Sequence, residues 1–142
     1  MRENLFRGKR RDNGEWVYGS LFVGFKKSYI CPEAIAMYNF DGALCLGGFV
    51  EVDPSTVGQY TGLKDKNGKR IFEGDILGSR YDNLYPDDVA IEVVKWFRNG
   101  WYIQQENNLP DALCEYGVLP YSEVIGNVHD NPDLLLESKE EK

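Results

Sequence analysis

The sequence predicts an all-β fold, mostly antiparallel with minor short helices, and three observations carry that prediction. Asn-Gly occurs three times, at Asn13-Gly14, Asn67-Gly68 and Asn99-Gly100. Asn and Gly tolerate the positive φ that a two-residue type I′ hairpin turn requires at both central positions. The segments beside these pairs are rich in β-branched and aromatic residues, which pack well on a pleated surface. Helix signals, by contrast, are few.

Taken in order, Asn13-Gly14 joins Phe6–Arg11 to Glu15–Val23, and nearly every residue of Trp16–Val23 favours a strand. Asn67-Gly68 joins Gln59–Leu63 to Arg70–Phe72, and Asn99-Gly100 joins Val89–Phe97 to Trp101–Gln105. In Val89-Ala90-Ile91-Glu92-Val93 the larger apolar residues alternate with small or charged ones. Val94 and Trp96 then carry the apolar parity, and a one-residue switch of that kind predicts a β-bulge near Val93-Val94. Pro110–Tyr116 reads as one or two helical turns, with Pro110 near the start, where its missing N–H costs nothing. Asn131–Leu136 reads as a short C-terminal turn or helix. Ser79–Asp88 is the expected long loop. The composition changes near Asp53-Pro54. The expected organisation is an N-terminal β-hairpin lobe at 1–53, a body at 54–136 and a charged tail at 137–142. The parts are expected to fold as one unit, because 53 residues without a disulfide bury little surface alone.

Composition excludes several classes. With 42% hydrophobic and 27% charged residues, the 142-residue chain is neither disordered, nor a coiled coil, nor collagen-like. It lacks the run of about 18 apolar residues that would suggest a membrane-spanning helix. Met1–Arg7 lacks the apolar stretch of a signal peptide, so a cytoplasmic protein with no membrane partner is expected. Cys31, Cys45 and Cys114 are widely spaced, and with His129 as the single histidine they predict reduced thiols rather than a zinc site. No cofactor is expected, since neither a P-loop nor a dinucleotide-binding glycine pattern occurs. Net charge is −7, which disfavours nonspecific nucleic-acid binding. The charge is uneven. Residues 1–27 carry seven Lys/Arg against three acids, a net of +4, and the remainder carries −11. Such a polar molecule suits head-to-tail self-association, or an acidic partner docked at one end.

The segment Thr56–Ile76, which contains Thr61-Gly62-Leu63-Lys64-Asp65-Lys66-Asn67-Gly68-Lys69-Arg70-Ile71-Phe72-Glu73-Gly74-Asp75-Ile76, closely resembles the signature of the YopX family. Two further pieces fit the resemblance. One is Phe6-Arg7-Gly8-Lys9 followed by Gly14-x-Trp16-Val17-Tyr18-Gly19. The other is Val124-Ile125-Gly126-Asn127-Val128-His129-Asp130-Asn131-Pro132-Asp133-Leu134-Leu135. The resemblance implies a small SH3-like β-barrel in the C-terminal half, phage or prophage origin, and action inside a bacterial host cell. It brings no catalytic residues. Read physically, the glycines of the signature suit tight turns, Asp65 and Asn67 suit a turn, and Ile71, Phe72 and Ile76 supply a core. The signature therefore describes folding more than chemistry.

Catalysis finds little support in the residues. A Ser-His-Asp arrangement needs an orienting acid, and Asp130 lies next to His129 on an extended chain, on the opposite face. Paired carboxylates for a metal-dependent hydrolase could come from Glu73 with Asp75, or from Asp82 with Asp87 and Asp88. The first group also reads as a solvated turn and the second as a solvated loop. A nucleic-acid surface could combine Trp96, Phe97, Arg98, Trp101 and Tyr102 with the basic cluster Arg7, Lys9, Arg10 and Arg11. The sequence thus predicts no catalytic, cofactor or metal site. The candidate interaction surface is Arg7, Lys9, Arg10, Arg11, Trp96, Arg98, Trp101 and Tyr102. The expected function is a non-enzymatic protein-interaction or assembly module with a host or phage protein, or a second copy, as partner. The alternatives are a nucleic-acid-binding accessory protein and a metal-dependent hydrolase.

Overall fold

Hairpin after hairpin forms this chain, although the turns differ in type from those expected. A computed structural model describes residues 5–32, 37–40, 43–46, 48–80, 89–97, 100–105, 111–113 and 120–135. The strands are β1 (Phe6–Lys9), β2 (Trp16–Gly24), β3 (Lys27–Cys31), β4 (Met37–Phe40), β5 (Ala43–Leu46) and β6 (Val50–Val52). After a 3-10 turn at Pro54–Thr56 come β7 (Gly58–Lys64), β8 (Arg70–Phe72), β9 (Asp75–Ser79), β10 (Ala90–Phe97), β11 (Gly100–Gln104), β12 (Asp111–Ala112) and β13 (Ser122–Asn127). One sheet has the order β6-β3-β2-β1-β7-β8, a second β12-β11-β10-β9-β13, and β4 and β5 form a separate hairpin. The protein is nearly all-β and antiparallel. Among the described residues no pairing joins β12 to β13, so they form no closed barrel. No helix among the described residues is long and apolar enough to cross a membrane.

The chain divides into two compact units, Met1–Tyr60 and Thr61–Lys142, and the division falls inside β7. In the first unit Leu5, Ile30, Cys31 and Val52 are buried. Cys31 is a free thiol. Asp53 caps the 3-10 turn: its side chain accepts from the Ser55 N–H at 3.0 Å. Thr56 locks that turn to β1, accepting the Lys9 N–H at 2.9 Å and donating to the Asp53 carbonyl at 2.6 Å. In the second unit Ile71, Leu77, Val94, Ile103 and Leu113 form the core, with Leu63, Trp101 and Val124 packed against it. β9 is buried along its whole length because it lies between β10 and β13.

The three Asn-Gly hairpins exist, but none of the described turns at these pairs is type I′. At Asn13-Gly14 only the glycine has positive φ, at 74°. Gly14 donates to the Arg10 carbonyl and Arg10 to the Glu15 carbonyl, each at 2.9 Å, which closes a longer loop. At Asn67-Gly68 only Gly68 has positive φ, at 82°. There the Asp65 carboxylate accepts from both Asn67 N–H and Lys69 N–H at 2.9 Å, and this side chain sets the turn. In the third hairpin Gly100 pairs with Phe97 as a strand residue. Arg98 and Asn99, between them, lie outside the described residues.

Two other expectations change. β10 pairs with β9 and β11 without a register shift, so there is no bulge at Val93-Val94. The parity looked switched because a charged residue, Glu92, shares the buried face with Val94. Glu92 is accommodated by Ser79, whose Oγ donates to Oε1 at 2.6 Å and lies 2.6 Å from Ser122 Oγ. The register shift instead falls in β13, between Val124 and Gly126. Asp111 and Ala112 are strand rather than helix: Ala112 pairs with Tyr102, and the Leu113 N–H bonds the Trp101 carbonyl at 3.0 Å. Residues 133–135 are helical, as read from the sequence. Most of the expected loop (81–88), residues 114–116 and the charged tail lie outside the described residues.

Candidate functional site: an aromatic hairpin

The residues singled out in the sequence fall in both units. Arg7 is not on the surface: it is 5% exposed, because β1 is paired on both sides, to β2 and β7. Its guanidinium lies 4.7 Å from the Trp16 ring centroid, and Lys9 Nζ lies 5.5 Å from the same ring. These are cation–π contacts that hold the two strands' side chains together. Arg10 forms a two-pronged pair with Asp12, at 2.9 and 2.8 Å. That hydrogen bond holds the Asp12 carboxyl below its ordinary value and raises the Arg10 guanidinium. Arg11 pairs with Glu51 at 3.1 Å. The basic cluster is therefore largely committed to local contacts.

In the second unit Trp96 and Trp101 sit opposite each other across β10 and β11, edge to face, with centroids 4.9 Å apart. Trp101 packs on the core, and Trp96 is 53% exposed. Tyr102 is opposite Lys95, so cross-strand alternation places it on the other face. Arg98 lies outside the described residues.

The candidate acid pair dissolves into structure. Asp75 is buried and its carboxylate accepts the Phe72 N–H at 2.7 Å, which shapes the turn from β8 to β9. Glu73 is half-buried, and burial pushes its carboxyl above its ordinary value. Asp82, Asp87 and Asp88 lie outside the described residues. Among the described residues no group of three or more His, Cys, Asp or Glu could hold a metal ion.

The signature segments explain themselves as folding devices. Asp65 Oδ2 accepts the Val124 N–H at 2.9 Å, and the Lys66 N–H bonds the Ser122 carbonyl at 3.0 Å. The middle signature piece is thereby stitched to the closing one. In the closing piece Asn127 Oδ1 accepts from His129 and Asp130 N–H at 3.0 and 2.9 Å, and the Asn127 side-chain amide donates to Asp130 at 3.1 Å. Asn131 Oδ1 accepts the Asn127 N–H at 3.2 Å. A Cβ on Gly126 would lie 2.6 Å from that same oxygen, so the glycine is required there.

A surface the sequence reading missed lies in the first unit, at the β2–β3 hairpin. Gly24 pairs with Lys27, which leaves Phe25 and Lys26 as the two turn residues. Both have positive φ, 52° and 62°, and they are the non-glycine residues with positive φ among those described. This is the primed hairpin geometry that Asn-Gly favours and a bulky aromatic residue resists. Phe25 is nevertheless 91% exposed, so its ring gains almost no burial in return. Val23 beside it is 65% exposed. On one face of the sheet Phe22 is opposite Tyr29, and Tyr29 is opposite Glu51. The Phe22 ring lies 6.2 Å from Tyr29 and 5.7 Å from Phe49, and both Phe22 and Phe49 are exposed. Lys27 reaches Glu51 at 3.7 Å, and Arg11 holds the same carboxylate. The available signal was Phe22-Val23-Gly24-Phe25-Lys26-Lys27, a strand run interrupted by a glycine and two lysines.

Architecture and signature together define a two-unit, nearly all-β protein whose shared motifs are turns and caps. The YopX protein family matches residues 5–136, and the chain belongs to that family. The crystal structure of protein EF1440 from Enterococcus faecalis has a similar fold, with a TM-score of 0.63 at 23% identity. The match covers 95% of this chain and 99% of that one. No curated protein matches the sequence.

Proposed function

We propose that this chain is a non-enzymatic protein-interaction module of phage or prophage origin, acting in the cytoplasm of a bacterial host through its β2–β3 hairpin. The observation that carries the reading is Phe25, an aromatic residue held at positive φ and almost fully exposed. Strain of this kind persists where it serves something other than folding. Asn-Gly, which would adopt this primed geometry at less cost, stands at three other places in the sequence but not here. Exposed rings at a convex tip are the type of anchor that fills a pocket on a partner. The non-enzymatic part of the proposal draws on the structural employment of Asp75. Phage origin draws on the family resemblance.

The test is affinity capture of the tagged chain from bacterial lysate, with nuclease-treated and untreated samples in parallel. The reading expects a protein that survives nuclease treatment and is lost when Phe25→Asn and Lys26→Gly are combined. Recovery that vanishes with nuclease would move the function to nucleic acid. Trp96, exposed and backed by Trp101, is the observation that favours that second reading.

A further inference from the structure

Resting on the proposal that the β2–β3 hairpin is the contact surface, we infer that its partner is an acidic, apolar protein segment. The argument starts from the charges around the rings. Glu51 is one carboxylate held by two cations, Arg11 at 3.1 Å and Lys27 at 3.7 Å. That group carries a net positive charge. Lys26, at the tip, is exposed and has no ion-pair or hydrogen-bond partner among the described residues. The aromatic patch is therefore framed by an excess of two positive charges, although the whole chain carries −7.

The apolar element is equally specific. Phe22 and Phe49 form an exposed pair of rings on the sheet face, with Tyr29 beside Phe22, and Phe25 is exposed at the turn of the same hairpin. Isolated exposed hydrophobics need no explanation, but the adjoining rings of Phe22, Tyr29 and Phe49 do. Charge of one sign around an apolar centre selects a partner with the complementary pattern. A segment with aliphatic or aromatic side chains, flanked by Asp and Glu, satisfies both features. A basic segment would meet Lys26 unfavourably. Single-stranded nucleic acid would offer negative charge and bases to stack, and the test below separates it.

The experiment pans a phage-displayed library of random dodecapeptides against the full chain, with dT20 carrying a 5′ fluorescein as a parallel probe. The inference expects enriched peptides that pair Leu, Ile, Phe or Trp with several Asp or Glu. Their affinity should fall at least fivefold between 50 and 500 mM NaCl, as exposed charge pairs become screened. Phe22→Ala should weaken an enriched peptide roughly tenfold, the scale of losing a central aromatic anchor. Lys26→Glu brings the frame from an excess of two positive charges to none and should abolish the acidic preference of the enriched pool. A circular dichroism melt of each variant confirms that it is folded. Enrichment of neutral or basic peptides, an enriched pool unaffected by Phe22→Ala, or no enrichment would each overturn the inference. Binding of dT20 without peptide enrichment would overturn it in favour of nucleic acid. If lysate capture still depends on Phe25 and Lys26 while the library returns nothing acidic, the contact surface stands and the partner class falls.

Discussion

Replacing Phe25-Lys26 by Asn-Gly is expected to stabilise the fold while abolishing capture of the partner. A left-handed backbone costs a residue with a Cβ roughly 1–2 kcal/mol. Phe25 and Lys26 both occupy that region, at φ 52° and 62°. Asn bears it more cheaply, and Gly bears it freely but returns about 0.5–1 kcal/mol through the entropy of the unfolded chain. The lost ring matters little, because Phe25 is 91% exposed. A tenth of an aromatic side chain of about 200 Å², at about 25 cal/mol per Å², amounts to about 0.5 kcal/mol. The balance is a gain of about 1 kcal/mol, or a Tm rise of about 3 °C for a chain of this length. Urea denaturation reads this as a higher midpoint with an unchanged slope. A lower midpoint would show that Phe25 supports the fold, and the strain argument would fail. Retained capture by a stabilised variant would remove the functional half of the reasoning.

Four further outcomes follow from the geometry. Asp65→Ala removes the acceptor of the Asn67, Lys69 and Val124 N–H groups and is expected to cost about 3–5 kcal/mol in urea denaturation, with Asp65→Asn intermediate. Gly19→Ala would put a Cβ 2.0 Å from the Cys31 carbonyl oxygen, and a loss of about 3 kcal/mol or more is expected, whereas Gly14→Ala meets no atom and feels only its φ of 74°. Trp101→Ala opens the second unit's core and should cost about 2–3 kcal/mol, against less than about 1 kcal/mol for the exposed Trp96→Ala, so equal costs would contradict the assignment of roles. The Glu73 carboxyl is raised by burial, so its protonated form favours the fold below the ordinary value of 4.5, and this contribution is lost as pH rises through the folded value. Glu73→Gln should therefore gain on the parent chain in urea midpoint between pH 4 and pH 7, and no gain would contradict the burial argument.

The fold was legible in the sequence because local chemistry and global pairing agree at the hairpins. Asn13-Gly14 and Asn67-Gly68 sit where strands reverse, and the residues beside them form β1, β2, β7 and β8. Turn type was not legible, since it depends on what the neighbouring side chains accept, as Asp65 does for two N–H groups. The inferred bulge at Val93-Val94 failed for a tertiary reason. Glu92 is buried because the Ser79 hydroxyl bonds its carboxylate, and Ser122, far away in sequence, meets Ser79 there. Charge counting put Arg7 on the surface, yet pairing on both edges of β1 buries it over Trp16. The hairpin tip was hidden in plain view: Phe25-Lys26 goes against the preference for Asn and Gly at the two positive-φ positions of a primed turn, and only the pairing of Gly24 with Lys27 shows that it is a turn. Conflicts between local preference and adopted structure gather at functional positions, and this is the described hairpin turn with a bulky aromatic residue at positive φ.

The central claim is that the β2–β3 tip is where this protein meets its partner. Photo-crosslinking inside bacterial cells tests it most directly, with benzoylphenylalanine placed at Phe25 and, as a control at another exposed position, at Lys69. The account predicts a discrete higher-mass protein adduct from position 25 and none from position 69. No adduct at position 25, or the same adduct from both positions, would contradict it.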